Sequence, residues 1–131
     1  MNERVLIDTQ ALIWFAENAS TLSASAVALV DDSANVRLAS VASVWEMAIK
    51  ISIGKLTLKT GTLAEFVDIL TANEIELLPV LAEDALRVQT LPLEQHKDPF
   101  DRLIAAQCLR QSLTLVSIDT AFDQYGVYRV W

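Results

Sequence analysis

Val5-Leu6-Ile7-Asp8-Thr9 reads as a short buried strand that stops at an acid and gives way to a helix over 11–18. Leu12, Ile13, Phe15 and Ala16 are the residues of that helix expected to face inward. The same step recurs along the chain. A strand over 36–39 leads to a helix over 41–53 that carries Ser43-Val44-Trp45-Glu46 and is closed by Gly54. Another strand, 113–116, runs into Ser117-Ile118-Asp119 and a short helix over 120–124. Between them His96-Lys97-Asp98-Pro99-Phe100-Asp101-Arg102 opens a helix to 111, with Pro99 at a first helical position. The remaining pattern predicts a helix over 23–32 capped by Ser23, and a capping box Thr62-Leu63-Ala64-Glu65 opening a helix to 72. It also predicts a strand over 75–78, a helix over 82–90 and a last strand over 127–130. Short apolar strands alternating with helices point to an α/β fold, a parallel sheet covered on both faces.

In such sheets ligands bind beyond the carboxyl ends of the strands. Asp8 and Asp119 follow strands directly, and Glu46 and Asp101 are expected in the first turns of helices that face the same edge. Carboxylates gathered there repel one another unless a cation is present. A divalent metal is the simplest physical reason for such a set, and metal held by carboxylates beside a cleft suggests phosphodiester chemistry.

Each acid also has a purely structural account. Asp8 and Asp119 suit N-caps, Ser43 and Glu46 match a capping box, and Asp98 caps a helix in which Asp101 stands at the third position. Lys50, four residues after Glu46, suits a helix-surface ion pair or an RNA contact. Thr9 and Ser117 suit hydrogen bonds to the acids or ordinary turn chemistry. Trp14, Trp45 and Phe100 are expected in the core rather than as stacking platforms. His96 is the single histidine, which excludes a histidine cage. Phosphate-binding glycine loops, dinucleotide fingerprints, C-x-x-C and H-E-x-x-H are absent.

At 131 residues, with 53% hydrophobic residues and only three Gly and three Pro, one element-rich domain with short loops is expected. The apolar excess also suits a surface covered by another chain. The net charge of −7 argues against a simple basic nucleic-acid binder. Charge is unevenly spread, however. Lys50, Lys55 and Lys59 fill an acid-free stretch after Glu46, whereas Glu65 to Glu94 holds seven acids and only Arg87. The lone Cys108, the absence of a signal-peptide core and the absence of a membrane-length apolar run give the expectation of a cytoplasmic protein with no membrane contact.

Taken together, Leu6-Ile7-Asp8-Thr9, Ser43-Val44-Trp45-Glu46-Met47-Ala48-Ile49-Lys50 with Gly54-Lys55-Leu56, the segment from His96 to Gln107, and Leu115-Val116-Ser117-Ile118-Asp119 resemble the PIN-domain family. Within it the chain is similar to the VapC-type toxins of toxin–antitoxin pairs, and D-P-F-D-R is the most specific segment. The resemblance implies a single PIN domain over 1–131, a three-layer α/β/α sandwich with a central, mainly parallel sheet of four or five strands. It implies a Mg²⁺- or Mn²⁺-dependent endoribonuclease, one or two ions held by Asp8, Glu46, Asp101 and Asp119, leaving 5′-phosphate and 3′-hydroxyl ends. Thr9, Ser43, Asp98 and Ser117 would support that site, and Lys50 and Lys55 are candidates for RNA contact. Asp123 is the second-ranked alternative to Asp119. A VapB-like antitoxin partner and a homodimer through 62–90 are implied as well. Ser117-Ile118-Asp119 departs from the family's common threonine and basic residue, which puts substrate contact there in doubt. Two other functions stand beside this one: a Mg²⁺-binding receiver-like phosphoacceptor, and a catalytically silent PIN fold kept for binding.

Overall fold

The computed structural model describes residues 2–93 and 98–131, so the expectations attached to Glu94, His96 and Lys97 lie outside the described residues. Five strands form one sheet: β1 (Arg4–Ile7), β2 (Val36–Ser40), β3 (Glu76–Leu78), β4 (Thr114–Val116) and β5 (Tyr128–Val130). Their order is β3-β2-β1-β4-β5, and every neighbouring pair is parallel. Leu6 pairs with Leu38 on one side and Leu115 on the other, so the middle of β1 is enclosed by apolar neighbours.

Among the described residues six α-helices connect or cover the strands: α1 (Thr9–Ala16), α2 (Ala24–Val30), α3 (Val41–Ser52), α4 (Leu63–Ala72), α5 (Ala82–Val88) and α6 (Pro99–Gln111). A 3-10 helix, Thr120–Tyr125, precedes β5. The period-two alternation of the strands divides the core in two. Val5, Ile7, Ala39 and Val116 pack on one face with Leu12, Val30, Met47, Phe66 and Leu70 from α1 to α4. Leu6, Leu38 and Leu115 pack on the other with Ile104, Ala105 and Cys108 of α6 and Phe122 of the 3-10 helix. The result is the three-layer α/β/α arrangement with a parallel sheet that the sequence predicts.

Local chemistry accounts for the helix starts. Ser23 accepts from Ala26 N, Thr62 and Glu65 close a complete capping box, and Asp98 accepts from Phe100 N and Asp101 N with Pro99 at the first position. One expected cap fails. α3 is capped by Ser40, whose Oγ accepts from Ala42 N, so Ser43 and Glu46 form no capping box. Glu46 consequently lies in the second turn of α3, not the first. Gly54 follows that helix at φ +75°, a conformation that a side chain would strain. Buried Arg37 on β2 donates to Val30 O (2.8 Å) and Asn73 O (2.7 Å), closing the exposed carbonyl ends of α2 and α4. Cys108 is buried in the core and its thiol is pushed up to about 12 by burial, which leaves it unreactive. Among the described residues no helix is long and apolar enough to cross a membrane.

Candidate active site

The strand order reverses between β1 and β4, because the chain builds outward from β1 in one direction and then returns to its other side. Helices leaving adjacent strands toward opposite faces open a crevice at that point, beyond the strands' carboxyl ends. Asp8 stands at the end of β1, and its backbone N–H still donates to Val116 O of β4 (3.1 Å). Both carboxylate oxygens of Asp8 are engaged: Oδ1 accepts from Ala11 N (2.9 Å), capping α1, and Oδ2 accepts from the Ser117 hydroxyl. Ser117 Oγ in turn accepts from Asp119 N (3.0 Å), and Asp119 Oδ1 caps the 3-10 helix through Ala121 N (2.9 Å). The two strand ends are thus stitched together by side chains predicted from the sequence.

α3 and α6 supply the opposite wall. Thr9 Oγ1 stands 2.8 Å from Ser43 Oγ and 2.7 Å from Glu46 Oε1. The Thr9 hydroxyl donates its single proton in a hydrogen bond to the carboxylate, which only accepts, and the Ser43 hydroxyl then donates to Thr9. The other oxygen, Glu46 Oε2, pairs with Lys50 Nζ at 2.7 Å. Asp8, Glu46, Asp101 and Asp119 all line one cavity of about 620 Å³, together with Asp98, Thr9, Lys50 and Lys55. Asp8, Glu46, Asp98, Asp101, Asp119 and both lysines proposed from the sequence therefore meet the same space, and the buried hydroxyls of Ser43 and Ser117 bond to groups that line it.

Burial pushes the Asp8 carboxyl up to about 6, against the opposing pull of the Ser117 and Ala11 hydrogen bonds, and Asp119 and Glu46 add repulsion. The Lys50 ammonium is pushed up chiefly by its hydrogen bond to Glu46, with Asp98 and Asp101 adding to the same direction. In kind, the donors suit a hard divalent cation: the cavity offers carboxylate and hydroxyl oxygens, and no thiol or imidazole among its described lining residues. Their disposition is looser. Among the described residues, no group of three acidic, histidine or cysteine side chains is arranged to hold an ion as they lie. Glu46 already accepts from Lys50 and Thr9, and Asp8 from Ser117 and Ala11, so an incoming cation meets engaged carboxylates and one competing charge, the Lys50 ammonium.

Three sequence expectations change here. Asp123, ranked behind Asp119, is turned to Arg129, pairing with its Nε at 2.9 Å, and does not line the cavity. Arg129 also donates to Ser117 O (3.1 Å), so this ion pair buttresses the turn that carries Asp119. Trp45 is not core: it is 54% exposed and packs edge-on against Phe100 with centroids 5.1 Å apart. Phe100 and Trp14 are only partly buried, the latter against Trp131 at 5.6 Å. A residue the motif contains but the reading left without a role is Arg102. Buried on α6, it donates to Pro92 O (2.6 Å), Val88 O (2.9 Å) and Leu91 O (3.2 Å), tying down the chain after α5. Its signal in the sequence was only its place beside Asp101.

Chains of several solved structures share the architecture. VapBC2 from Rickettsia felis, bound to a DNA fragment from its promoter, gives a TM-score of 0.67 at 14% identity, covering 97% of this chain and 97% of that one. DNA-bound VapBC from Salmonella typhimurium gives 0.64 at 15% identity, covering 99% and 98%. FitAcB from Neisseria gonorrhoeae gives 0.56 at 18%, covering 97% and 96%. At these identities the likeness is one of fold. No curated protein matches the sequence. The PIN domain family profile, by contrast, matches residues 5–128. A match of that length, on an architecture shared almost end to end with these structures, means that the chain belongs to the PIN-domain family.

Proposed function

We propose that this protein is a metal-dependent endoribonuclease toxin of the VapC type, held in check by a VapB-like antitoxin. The observation that carries the reading is the meeting of Asp8, Glu46, Asp101 and Asp119 in one cavity at the point where strand order reverses. Family membership supports it, since PIN domains of the VapC type are generally nucleases that use divalent ions. Asp8, Glu46, Asp101 and Asp119 would hold one or two Mg²⁺ or Mn²⁺ ions, and such an ion supplies Lewis acidity to a water and to the scissile phosphate. The chain's own side chains set the stage for in-line attack. Ser117 and the α1 N-terminus fix both oxygens of Asp8, and Thr9 with Ser43 behind it fixes one oxygen of Glu46. Lys50 and Lys55 at the mouth draw the RNA backbone toward an otherwise acidic cavity and balance charge that develops on phosphate.

Partners follow from the same comparisons. The similar solved structures are complexes of two proteins, two of them described as DNA-bound, which supports an antitoxin partner for this chain. Exposed Leu77, Leu81 and Leu86 within 62–90 support a covered face there, either by the antitoxin or by a second copy in a homodimer. A single folding unit over 1–131 accords with two cores that share one sheet.

The test is cleavage of a mixed RNA pool by the purified chain with Mn²⁺, with EDTA, and with Asp101→Asn. Activity should require the ion and fall at least about 100-fold in the variant, the scale of losing one electrostatic contributor to a transition state. A folded, fully active Asp101→Asn, or cleavage indifferent to EDTA, sinks the assignment. The looser spacing of the acids among the described residues favours a silent binding module, and a folded, metal-loaded, antitoxin-free chain with no cleavage would favour that module or extreme substrate selectivity. A receiver-like phosphoacceptor is disfavoured by the family and by the lack of any lysine beyond Lys97.

A further inference from the structure

We propose that the Lys50 ammonium is the resident cation of the metal-free cavity, and that a divalent ion must displace it from Glu46 to load. The inference rests on the reading of this cavity as a metal site and concerns how the chain itself opposes loading. Glu46 is buried, with only 7% of its side chain exposed, and a carboxylate at that depth needs a compensating partner. Thr9 satisfies Oε1 at 2.7 Å without bringing charge. Lys50 satisfies Oε2 at 2.7 Å and does bring it. Each Glu46 oxygen therefore already accepts a hydrogen bond, and the one on Oε2 comes from a cation that would compete with a metal for the same charge.

The pair also has the asymmetry that exchange requires. Glu46 is fixed in the second turn of α3, whereas the Lys50 side chain remains 47% exposed on a flexible four-carbon stem. Asp98 and Asp101 of α6 act on the same ammonium, so Lys50 mediates between the acids of two helices. A dication approaching Glu46 meets repulsion until the ammonium swings out. Having swung, it stays tethered at the cavity mouth, where a phosphodiester backbone would arrive. Lys55 lines the same cavity, yet no carboxylate among the described residues pairs with it. That difference separates direct competition from general charge.

The experiment is calorimetric titration of Mn²⁺ into the full metal-free chain, without RNA, comparing wild type with Lys50→Met, Lys50→Gln, Lys50→Arg and Lys55→Met. Met and Gln keep the length of the stem on an exposed helix position, and two uncharged variants guard against a folding fault in one. The expected result is Mn²⁺ binding about two- to fivefold tighter in both uncharged Lys50 variants, the range a partly exposed ion pair spans. Lys50→Arg should bind as wild type does, and Lys55→Met should shift affinity less than either uncharged Lys50 variant. Unchanged or weaker binding in the uncharged Lys50 variants, with wild type binding normally, overturns the exchange while leaving the metal site intact. An equal gain in Lys55→Met overturns it too, because charge alone would then suffice. Failure of every protein to bind Mn²⁺ removes the metal site and this inference with it.

Discussion

Replacing Asp8 by Asn should stabilise the metal-free protein above neutrality and destabilise it in acid. The Asp8 carboxyl is pushed from an ordinary 3.8 up to about 6, first by burial and then by Asp119 and Glu46. A group held at a higher pKa in the fold than in the unfolded chain binds more protons when folded. The stability it carries is therefore intact below the unfolded value of 3.8 and is lost as pH rises through about 6. At about 1.4 kcal/mol per unit, the ionised carboxylate costs the fold at most about 3 kcal/mol at alkaline pH. Asparagine removes that cost. Its oxygen can still accept from Ala11 N, while its amide must face Ser117 Oγ, which would then accept a second hydrogen bond and lose its own acceptor. The loss is about 1 kcal/mol. Near pH 8 the variant should therefore be more stable by about 2 kcal/mol, and near pH 3.5 less stable by about 1 kcal/mol. Urea denaturation in EDTA at the two pH values reads this directly, because other carboxylates titrate alike in both proteins and cancel in the difference. Saturating Mn²⁺ should reverse the alkaline order by stabilising wild type alone. Equal destabilisation at both pH values would refute the argument, since it would show that Asp8 carries no unfavourable charge in the fold.

Two further substitutions probe the supports of the cavity. Thr9→Val keeps the shape of the side chain but removes the hydroxyl between Ser43 and Glu46, and should cost about 1–2 kcal/mol in urea denaturation. RNA cleavage should fall about tenfold as Glu46 loses its orientation, and unchanged stability with unchanged cleavage would dismiss Thr9 as a support. Arg102→Lys replaces a planar fork that reaches three carbonyls with a single ammonium, and should cost about 2–4 kcal/mol, visible as a lower Tm. An unaltered Tm would mean that the chain after α5 is held by other contacts.

The architecture was readable because strands of three to five residues carry their apolar side chains to both faces and stop at polar turns. Starts of helices were readable where one residue could cap, as with Ser23, Thr62 and Asp98. α3 was harder for a physical reason. Ser40 and Ser43 are both capable caps, and S-x-x-E matches the latter, but β2 runs straight into the helix with no loop and Ser40 takes the position. The same helix misled about Trp45. Val41, Trp45, Ile49 and Ile53 recur at four-residue spacing on an exposed face while Met47 is buried, so apolar residues surround α3 and pattern alone does not mark which stripe meets the core.

The acids of the cavity were legible and their hydrogen bonds were not, because a sequence gives spacing but not which oxygen meets which donor. The competition between a cap and a site residue dissolves on this point. Asp8 and Asp119 each devote one oxygen to a helix start and still face the cavity, so capping fixes the side chain in place rather than removing it from use. Asp98 caps α6 in the same manner at the edge of that space. Glu46 and Asp101 stand within helices instead, and Glu46 depends on Thr9 and Lys50 for its orientation. This division bears on any experiment at the site. At Asp8 or Asp119, alanine would remove a helix cap together with the charge, confounding about 1 kcal/mol of stability with chemistry. Asparagine keeps an acceptor for the backbone and deletes the charge, though at Asp8 it also gives up the hydrogen bond accepted from Ser117. An effect on cleavage from Asp119→Asn that matched Asp119→Ala, in a chain whose 3-10 helix is still capped, would therefore belong to the carboxylate itself.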